Sequence, residues 1–149
     1  MMSKTIIVSF DKQYEPIIKH IRKSVFSQEQ NVPERLDFEG KDPDAIHALV
    51  RDGNRYVGTG RMLNDGHIGR VAVLREYRGM GFGKNITIAL IEEAKRLGIK
   101  RVFLGAQLHA VDFYKKLEFS KYGEVFLDAD IEHVHMERFI PNENQTEKS

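Results

Sequence analysis

The sequence of 149 residues contains no cysteine. This absence excludes disulfide bonds, thiol nucleophiles and metal sites that depend on thiolate ligands. No apolar run approaches the roughly 18 residues needed to span a bilayer. The N-terminal segment also reaches Asp11 too soon to hold the apolar region of a secretory leader. We therefore expect a cytoplasmic protein that has no membrane partner.

An excess of charge of one sign is also missing. The sequence has 23 Lys and Arg against 22 Asp and Glu, a formal net charge of +1. Domains that bind duplex nucleic acid usually carry a clear basic excess, so we expect no nucleic-acid partner. The length favours one domain with a single core, which we place at residues 1–140, followed by a polar tail at 141–149.

Hydrophobic periodicity predicts an α+β domain. Helices are predicted after Asp11, where an apolar stripe runs from Ile17 to Phe26, and over 81–97 and 109–117. Strands are predicted over 4–10, 45–50, 55–63, 67–74, 101–106, 119–126 and 131–139. Turn sequences join the second, third and fourth strands, which should form an antiparallel meander. We expect a central mixed, mostly antiparallel sheet flanked by helices.

The segment from Ser27 to Asp44 breaks this pattern. It is polar, it contains Pro33, Gly40 and Pro43, and it is too long for a simple connector. Two interpretations follow from the residues, namely a functional loop or a surface excursion, because proline and glycine are also ordinary turn residues.

A glycine-rich segment, Arg78 to Lys84, follows a predicted strand and opens a predicted helix. Three glycines in five residues allow the backbone to approach a ligand closely. The free N–H groups at a helix start are suited to phosphate oxygens, and the Arg and Lys at the two ends add positive charge. The three-residue gap between Gly79 and Gly83 excludes a Walker loop, and the dinucleotide spacing G-x-G-x-x-G is not met either. A phosphate-binding loop and a structural turn both remain open.

The pattern Arg78-x-x-Gly81-x-Gly83 resembles the acetyl-coenzyme A signature of the GNAT superfamily of N-acetyltransferases. A second element, Phe113-Tyr114-Lys115-Lys116-Leu117-Glu118-Phe119, is similar to the F-Y-x-K-x-G-F pattern of that family. Other segments, among them 58–61, 69–73 and 131–136, are similar to its ElaA/YjcF-like branch. The resemblance spans residues 4–140 and implies a single GNAT-like domain in which the fourth and fifth strands splay apart.

The resemblance implies an N-acetyltransferase that uses acetyl-CoA and acts on a primary amine of a small molecule or peptide. It implies that the fourth strand pairs with the pantetheine arm and supplies a backbone N–H to the oxyanion, and that the loop amides hold the pyrophosphate. Coenzyme contacts are therefore expected at Val71, Ala72, Val73, Arg78, Gly79, Met80, Gly81, Phe82, Gly83, Lys84, Gln107 and Tyr114.

Two residues depart from the family pattern. Gln107 stands where the family usually has Asn, and Glu118 replaces the glycine of its G-F pair. Together with the lack of an obvious base, these departures leave a non-catalytic acyl-CoA sensor as the alternative function.

Tyr114 is the candidate general acid. A phenol with an ordinary pKa near 10 keeps its proton at pH 7 and can give it to a leaving thiolate. The other interpretation is a core tyrosine on an apolar helix face, beside Phe113 and Leu117.

The general base and the acceptor pocket are less constrained. Glu29, in the polar segment that the family folds over its acceptor pocket, is the first candidate base. Histidines titrate near neutrality and can relay a proton through water, so the other candidates are His67, His109 and His133. Arg61 is either the partner of an anionic acceptor or an exposed strand cation.

Metal binding and oligomerisation receive little support. His133 and His135 share a strand face, but no spacing supplies a third ligand, so we expect no metal. The resemblance also implies that a homodimer could form through the last strands.

Overall fold

The structure, a computed structural model, describes residues 3–141. Its strands are β1 (Ser3–Val8), β2 (Ile46–Asp52), β3 (Arg55–Met62), β4 (Ile68–Val73), β5 (Arg101–Gln107), β6 (Ser120–Asp128) and β7 (Ile131–Phe139). Its α-helices are α1 (Glu15–Arg22), α2 (Glu34–Asp37), α3 (Phe82–Arg96) and α4 (Val111–Lys116). A π-helical segment (Lys23–Glu29) continues α1, and short 3-10 turns lie at Asp42–Asp44, Arg75–Tyr77 and Leu108–Ala110. Nearly all of the polar tail predicted at 141–149 lies outside the described residues.

The predicted α+β class and the antiparallel meander are confirmed. β1 to β4 form one antiparallel sheet in sequence order, and β5, β7 and β6 form a second. The two sheets are joined by a parallel bridge between His67 and Phe103. Beyond that bridge β4 and β5 diverge, which gives the splayed strand pair that the resemblance implied.

Helices cover both faces of the first sheet. The predicted apolar face of α3, which includes Ile86 and Leu90, is buried in the larger core cluster against β2 and β3. Two glycines in β3 make room for this helix, because a Cβ at Gly58 or Gly60 would lie 2.9 or 2.6 Å from the Ile86 side chain. A smaller cluster forms around α1 and the π-helical segment.

Helix boundaries differ slightly from the prediction. Asp11 does organise the turn before α1, since its carboxylate accepts the N–H groups of Gln13 and Tyr14. The α-helix itself begins at Glu15, and it changes to π-helix at Lys23. The segment expected to be a loop from Ser27 therefore starts inside a helix. Within residues 3–141 there is no helix that is both long enough and apolar enough to cross a membrane.

Glu118 occupies a conformation that favours glycine. Its φ is +68°, so it keeps the turn between α4 and β6 although it replaces the glycine of the family pattern. We predict that Glu118→Gly raises the free energy of unfolding by about 1 kcal/mol, because the left-handed conformation strains a side chain by roughly that amount. The exposed ion pair that Glu118 makes with Arg138 at 3.1 Å offsets little of this gain.

Urea denaturation provides the measurement. The matched control is Glu124→Gly, at an exposed position of β6 without a positive φ, where glycine should destabilise the strand. Equal effects of the two substitutions would show that the turn at Glu118 is unstrained.

Candidate active site

A cavity of about 930 Å³ lies where β4 and β5 diverge. Its walls come from these two strands, the π-helical segment, the glycine-rich turn, the start of α4, and strands β6 and β7. Its size is in the range of small-molecule and cofactor sites.

The glycine-rich turn forms one end of the cavity. Gly79 and Gly81 have φ values of +77° and +87°, and no other group lies within 4 Å of the position of a Cβ at either residue. The first hydrogen bond of α3 runs from the Asn85 N–H to the Gly81 carbonyl at 3.0 Å. The preceding N–H groups at the helix start are consequently available to an anion.

Arg78 and Glu29 close this end of the cavity from opposite sides. The Arg78 guanidinium donates to both carboxylate oxygens of Glu29, at 2.6 and 2.8 Å, and to the Val73 carbonyl at 2.9 Å. The hydrogen bond from Arg78 lowers the pKa of Glu29. Glu29 does line the cavity, but a carboxylate stabilised in this way is a weak base.

β4 contains a bulge at the cavity. Its register against β3 shifts between the Thr59–Ala72 and Arg61–Gly69 pairs, and Arg70 lies there with a φ of +53°. Non-glycine residues in this conformation are held by their surroundings and occur often at functional sites. The Arg70 side chain is held by the Leu36 carbonyl at 3.0 Å and by the Glu39 carboxylate. β4 is an edge strand, so its backbone faces the cavity on the side away from β3.

Tyr114 lines the middle of the cavity. Its ring packs edge-on against Phe113 and Phe119, with ring centroids 5.0 and 5.7 Å away. Burial raises the pKa of its hydroxyl to about 12. The hydroxyl therefore stays protonated throughout the physiological range.

The comparisons with known proteins agree with this geometry. Residues 11–139 match the family described as acetyltransferase (GNAT) domain. The chain belongs to the GNAT family of N-acetyltransferases. It is 36% identical over 137 residues to the uncharacterized N-acetyltransferase YjcF of Bacillus subtilis. The alignment covers 89% of this chain and 97% of YjcF.

Solved structures show the same fold. Escherichia coli ElaA superposes on this GNAT protein with a TM-score of 0.82 at 29% identity, over 92% of this chain and 99% of ElaA. An acyl-CoA N-acyltransferase from Pseudomonas aeruginosa does so with a TM-score of 0.81 at 26% identity, over 92% and 99% of the two chains. The family and branch expected from the sequence are confirmed.

Most of the residues proposed for coenzyme binding line the cavity of this GNAT protein. They are Val71, Ala72, Val73, Arg78, Gly79, Gly81, Phe82, Gly83, Lys84, Gln107 and Tyr114. Met80 is the exception, because it is 61% exposed and does not line the cavity, so a contact between the coenzyme and its backbone N–H stays a prediction. The adjacent glycines turn the backbone so that this side chain faces solvent.

The proposed bases are brought to the same cavity. His67, His109 and His133 all line it. His133 is 8% exposed, and its Nδ1 lies 2.7 Å from the Ile131 carbonyl oxygen. The Gln107 amide donates to the Gln30 side chain at 3.1 Å, which joins β5 to the end of the π-helical segment. Among residues 3–141 there is no group of three or more metal-ligating side chains that could hold a metal ion.

The structure corrects one interpretation of Arg61, because the residue is buried and is not an exposed strand cation. It is 5% exposed, it does not line the cavity, and its guanidinium donates to Glu39 at 2.7 Å and to Asp42 at 2.9 Å. With both carboxylates already bound, Arg61 is not available to an anionic acceptor.

Arg61 belongs to a buried network that holds the 30–45 segment on the sheet, which we call the arginine–carboxylate network. Arg22 donates to Asp37 at 2.9 Å and to Asp42 at 2.6 Å, and Arg70 lies 3.1 Å from Asp37. The members of the network are Arg22, Asp37, Glu39, Asp42, Arg61 and Arg70. The segment that the sequence left open is thus fixed next to the bulge of β4.

The network gives stability a specific pH dependence. Partial burial by itself would raise the pKa of Glu39, but the hydrogen bond from Arg61 and the positive charge of Arg70 outweigh it and lower this pKa. A lowered pKa in the folded state means that the stabilisation is present above the ordinary Glu value and is lost as pH falls through the folded value.

We expect Glu39→Gln to reduce the free energy of unfolding by about 1 kcal/mol at pH 7 and to have a smaller effect near pH 3. Chemical denaturation at both pH values measures this difference. Glu34→Gln is the control, since Glu34 is 59% exposed and its ion pair with Lys23 is 3.7 Å long. A loss that is the same at both pH values would contradict the role of the Glu39 charge.

Proposed function

We propose that this protein is an acetyl-CoA-dependent N-acetyltransferase that moves an acetyl group to a primary amine by direct attack in a ternary complex. The observation that carries this proposal is that a single cavity brings together the open backbone edge of β4, the glycine-rich turn at the start of α3, and the Tyr114 hydroxyl. The family relationship supports the fold and the general chemistry, and the shared cavity supports a role for each of these groups in one reaction.

The residues of the turn fit a coenzyme pyrophosphate. The space beside Gly79 and Gly81 is free of side chains, and the helix start adds unpaired N–H donors. Lys84 lines the cavity and supplies positive charge, whereas the charge of Arg78 is offset by its ion pair with Glu29. When bound, acetyl-CoA supplies the thioester that makes the acetyl group reactive. The edge of β4 at residues 71–73 would position the pantetheine arm of the coenzyme and offer an N–H to the acetyl oxygen.

Tyr114 is proposed as the general acid. As the amine nitrogen forms its bond to the acetyl carbon and the carbon–sulfur bond breaks, Tyr114 donates its hydroxyl proton to the departing sulfur. The raised pKa keeps the hydroxyl protonated at physiological pH, so this proton is present when the sulfur departs.

His133 is proposed as the base, acting through water. A carbonyl oxygen only accepts hydrogen bonds, so the contact with Ile131 places the proton of the neutral ring on Nδ1. The lone pair is then on Nε2, which can take up the proton that the amine loses. Glu29, the first candidate base, is proposed instead as the residue that positions Arg78, because Arg78 occupies both its oxygens.

Transfer assays test this proposal. The protein is incubated with acetyl-CoA and a library of primary amines and peptides, thiol release is followed, and the product is identified by mass spectrometry. We expect an acetylated amine and one equivalent of free thiol. Coenzyme binding without release of thiol to any amine would instead support the acyl-CoA sensor.

Two further expectations remain part of the proposal. A homodimer through the last strands is supported by exposed apolar side chains on β6 and β7, since Val125, Leu127 and Phe139 are 53%, 67% and 67% exposed. Light scattering at micromolar concentration measures its mass.

A cytoplasmic location agrees with the use of acetyl-CoA, an intracellular metabolite.

A further inference from the structure

The cavity has an aromatic side that the coenzyme contacts leave unused. Six side chains with planar rings line it, and we call them the aromatic wall: His67, Phe103, Tyr122, Phe126, His133 and His135. Five of them belong to the second sheet, and His67 comes from the bridge that joins the two sheets.

The rings of the wall are packed against one another. Phe126 stacks on His135 with centroids 4.2 Å apart and on His133 at 5.7 Å, and Tyr122 stacks on His135 at 5.3 Å. His67 stacks on Phe103 at 4.9 Å. The angles between the planes of these pairs are at most 28°.

Strand register produces this arrangement. His133 and His135 pair with Phe126 and Tyr122 on the neighbouring strand, so the four side chains stand on one face of the sheet. Gly105 is opposite His135 on the other side, and it leaves space into which Phe126 leans, because a Cβ there would lie 3.0 Å from Phe126 Cζ. The Phe126 side chain on β6 thus extends over β7 as far as Gly105 on β5, which borders the gap between β4 and β5.

The Arg101 guanidinium connects the two parts of the wall. It lies 4.5 Å from the Phe103 ring centroid and 5.5 Å from that of Tyr122. It is held there by Glu137, at 2.7 Å. The Arg101–Glu137 pair lies on the same face of the sheet as the wall and braces it, so the rings are organised before any ligand arrives.

The charges of the cavity limit what the wall can receive. Of the carboxylates that line the cavity in the described part of the chain, Glu29 is bound to Arg78 and Asp37 to Arg70. Asp128 is the remaining one, and within residues 3–141 it has no cationic partner. One free carboxylate suits an acceptor with one ammonium group better than a polyamine.

We propose that the aromatic wall binds the acceptor, and that the acceptor is a monoamine carrying an aromatic ring. This inference rests on the proposed function, since it assigns the acceptor half of the same cavity. Aromatic rings pair favourably with other rings in stacked or edge-to-face contacts, a gain that a saturated ring of the same size does not obtain.

The test compares two amines of equal size. 2-Phenylethylamine and 2-cyclohexylethylamine carry the same primary amine and differ in the ring. We expect kcat/KM for the phenyl compound to be about three- to tenfold higher, the range that corresponds to one aromatic pair. Equal values for the two amines would overturn the proposal.

Two variants test whether the aromatic wall causes the preference for the phenyl compound over the cyclohexyl compound. Phe126→Leu should reduce the preference to near unity, whereas Phe139→Leu should keep it, because Phe139 is 67% exposed and does not line the cavity. An unchanged preference in a folded Phe126→Leu protein would show that the acceptor binds elsewhere.

A binding measurement separates this inference from the proposed function. The chain has no tryptophan, so the indole of tryptamine can be excited selectively. We expect its fluorescence anisotropy to rise on addition of the protein with coenzyme A, with an affinity weakened at least threefold by Phe126→Leu. Tryptamine binding that depends on Phe126, without acetyl transfer, would support the aromatic wall as a binding site and contradict the proposed transferase activity. Acetyl transfer without tryptamine binding would support the transferase activity and overturn the proposal that the aromatic wall binds the acceptor.

Discussion

Tyr114→Phe is expected to lower kcat by about 100- to 10,000-fold, the usual contribution of a positioned general acid. The substitution removes only the hydroxyl, and the ring contacts with Phe113 and Phe119 remain. Affinity for the coenzyme should therefore stay within a few-fold of the wild-type value. Steady-state kinetics and isothermal titration calorimetry measure the two quantities separately.

A matched control is Tyr56→Phe, which removes a hydroxyl from β3 outside the cavity. We expect this control to have wild-type kcat. If Tyr114→Phe had the same kcat as the wild type, Tyr114 would not be the acid.

The pH dependence of kcat gives a second check on Tyr114. Because burial raises its pKa to about 12, the hydroxyl should keep its proton well above pH 10. A fall in kcat with an apparent pKa near 10, present in the wild type and absent from Tyr114→Phe, would contradict this environment.

Gly81→Leu is expected to weaken coenzyme binding at least about 100-fold, since several charge-assisted hydrogen bonds from the turn would be displaced. Gly81 has a φ of +87° and precedes the first residue of α3. A side chain there would occupy the space beside the free N–H groups, and the backbone would move to relieve the left-handed conformation. Calorimetric titration with coenzyme A measures the loss.

The control for strain is Gly98→Leu at the other end of the same helix. Gly98 has a φ of +76° and, like Gly81, has no other group within 4 Å of a Cβ. Both substitutions should destabilise the fold by about 1–2 kcal/mol. We expect normal coenzyme affinity in Gly98→Leu, and equal losses in both variants would contradict the assignment of the glycine-rich turn.

The elements that carry the proposed coenzyme site could be predicted from local sequence. The spacing of Gly79, Gly81 and Gly83 after a β-branched strand identifies the turn, because few residues other than glycine adopt positive φ freely. The alternation in residues 68–73 and the 3.6-residue periodicity from Ile86 to Ala94 predict β4 and α3, since each periodicity follows from backbone geometry.

Neither the arginine–carboxylate network nor the aromatic wall could be predicted in the same way. Arg22 and Asp37 are 15 residues apart and Arg61 and Glu39 are 22 apart, so no local pattern shows that they are paired and buried. Charged residues in such segments are usually exposed, which explains the incorrect expectation for Arg61. The aromatic wall depends on the register of β6 against β7, where a shift between Tyr122 and Phe126 places these two rings opposite His135 and His133. The signal for this shift in the sequence is a single glycine, Gly123, which adopts a positive φ in the structure.

Thermal unfolding with and without millimolar acetyl-CoA tests the central claim, that this cavity binds the acetyl donor. A ligand at about 100 times its dissociation constant stabilises a protein by roughly 2.7 kcal/mol, which corresponds to an increase in Tm of about 5–10 °C for a chain of this size. We predict this increase with acetyl-CoA, a smaller one with ATP, none with NAD, and none with acetyl-CoA in Gly81→Leu. An unchanged Tm with acetyl-CoA, or an equal increase with ATP, would contradict the account.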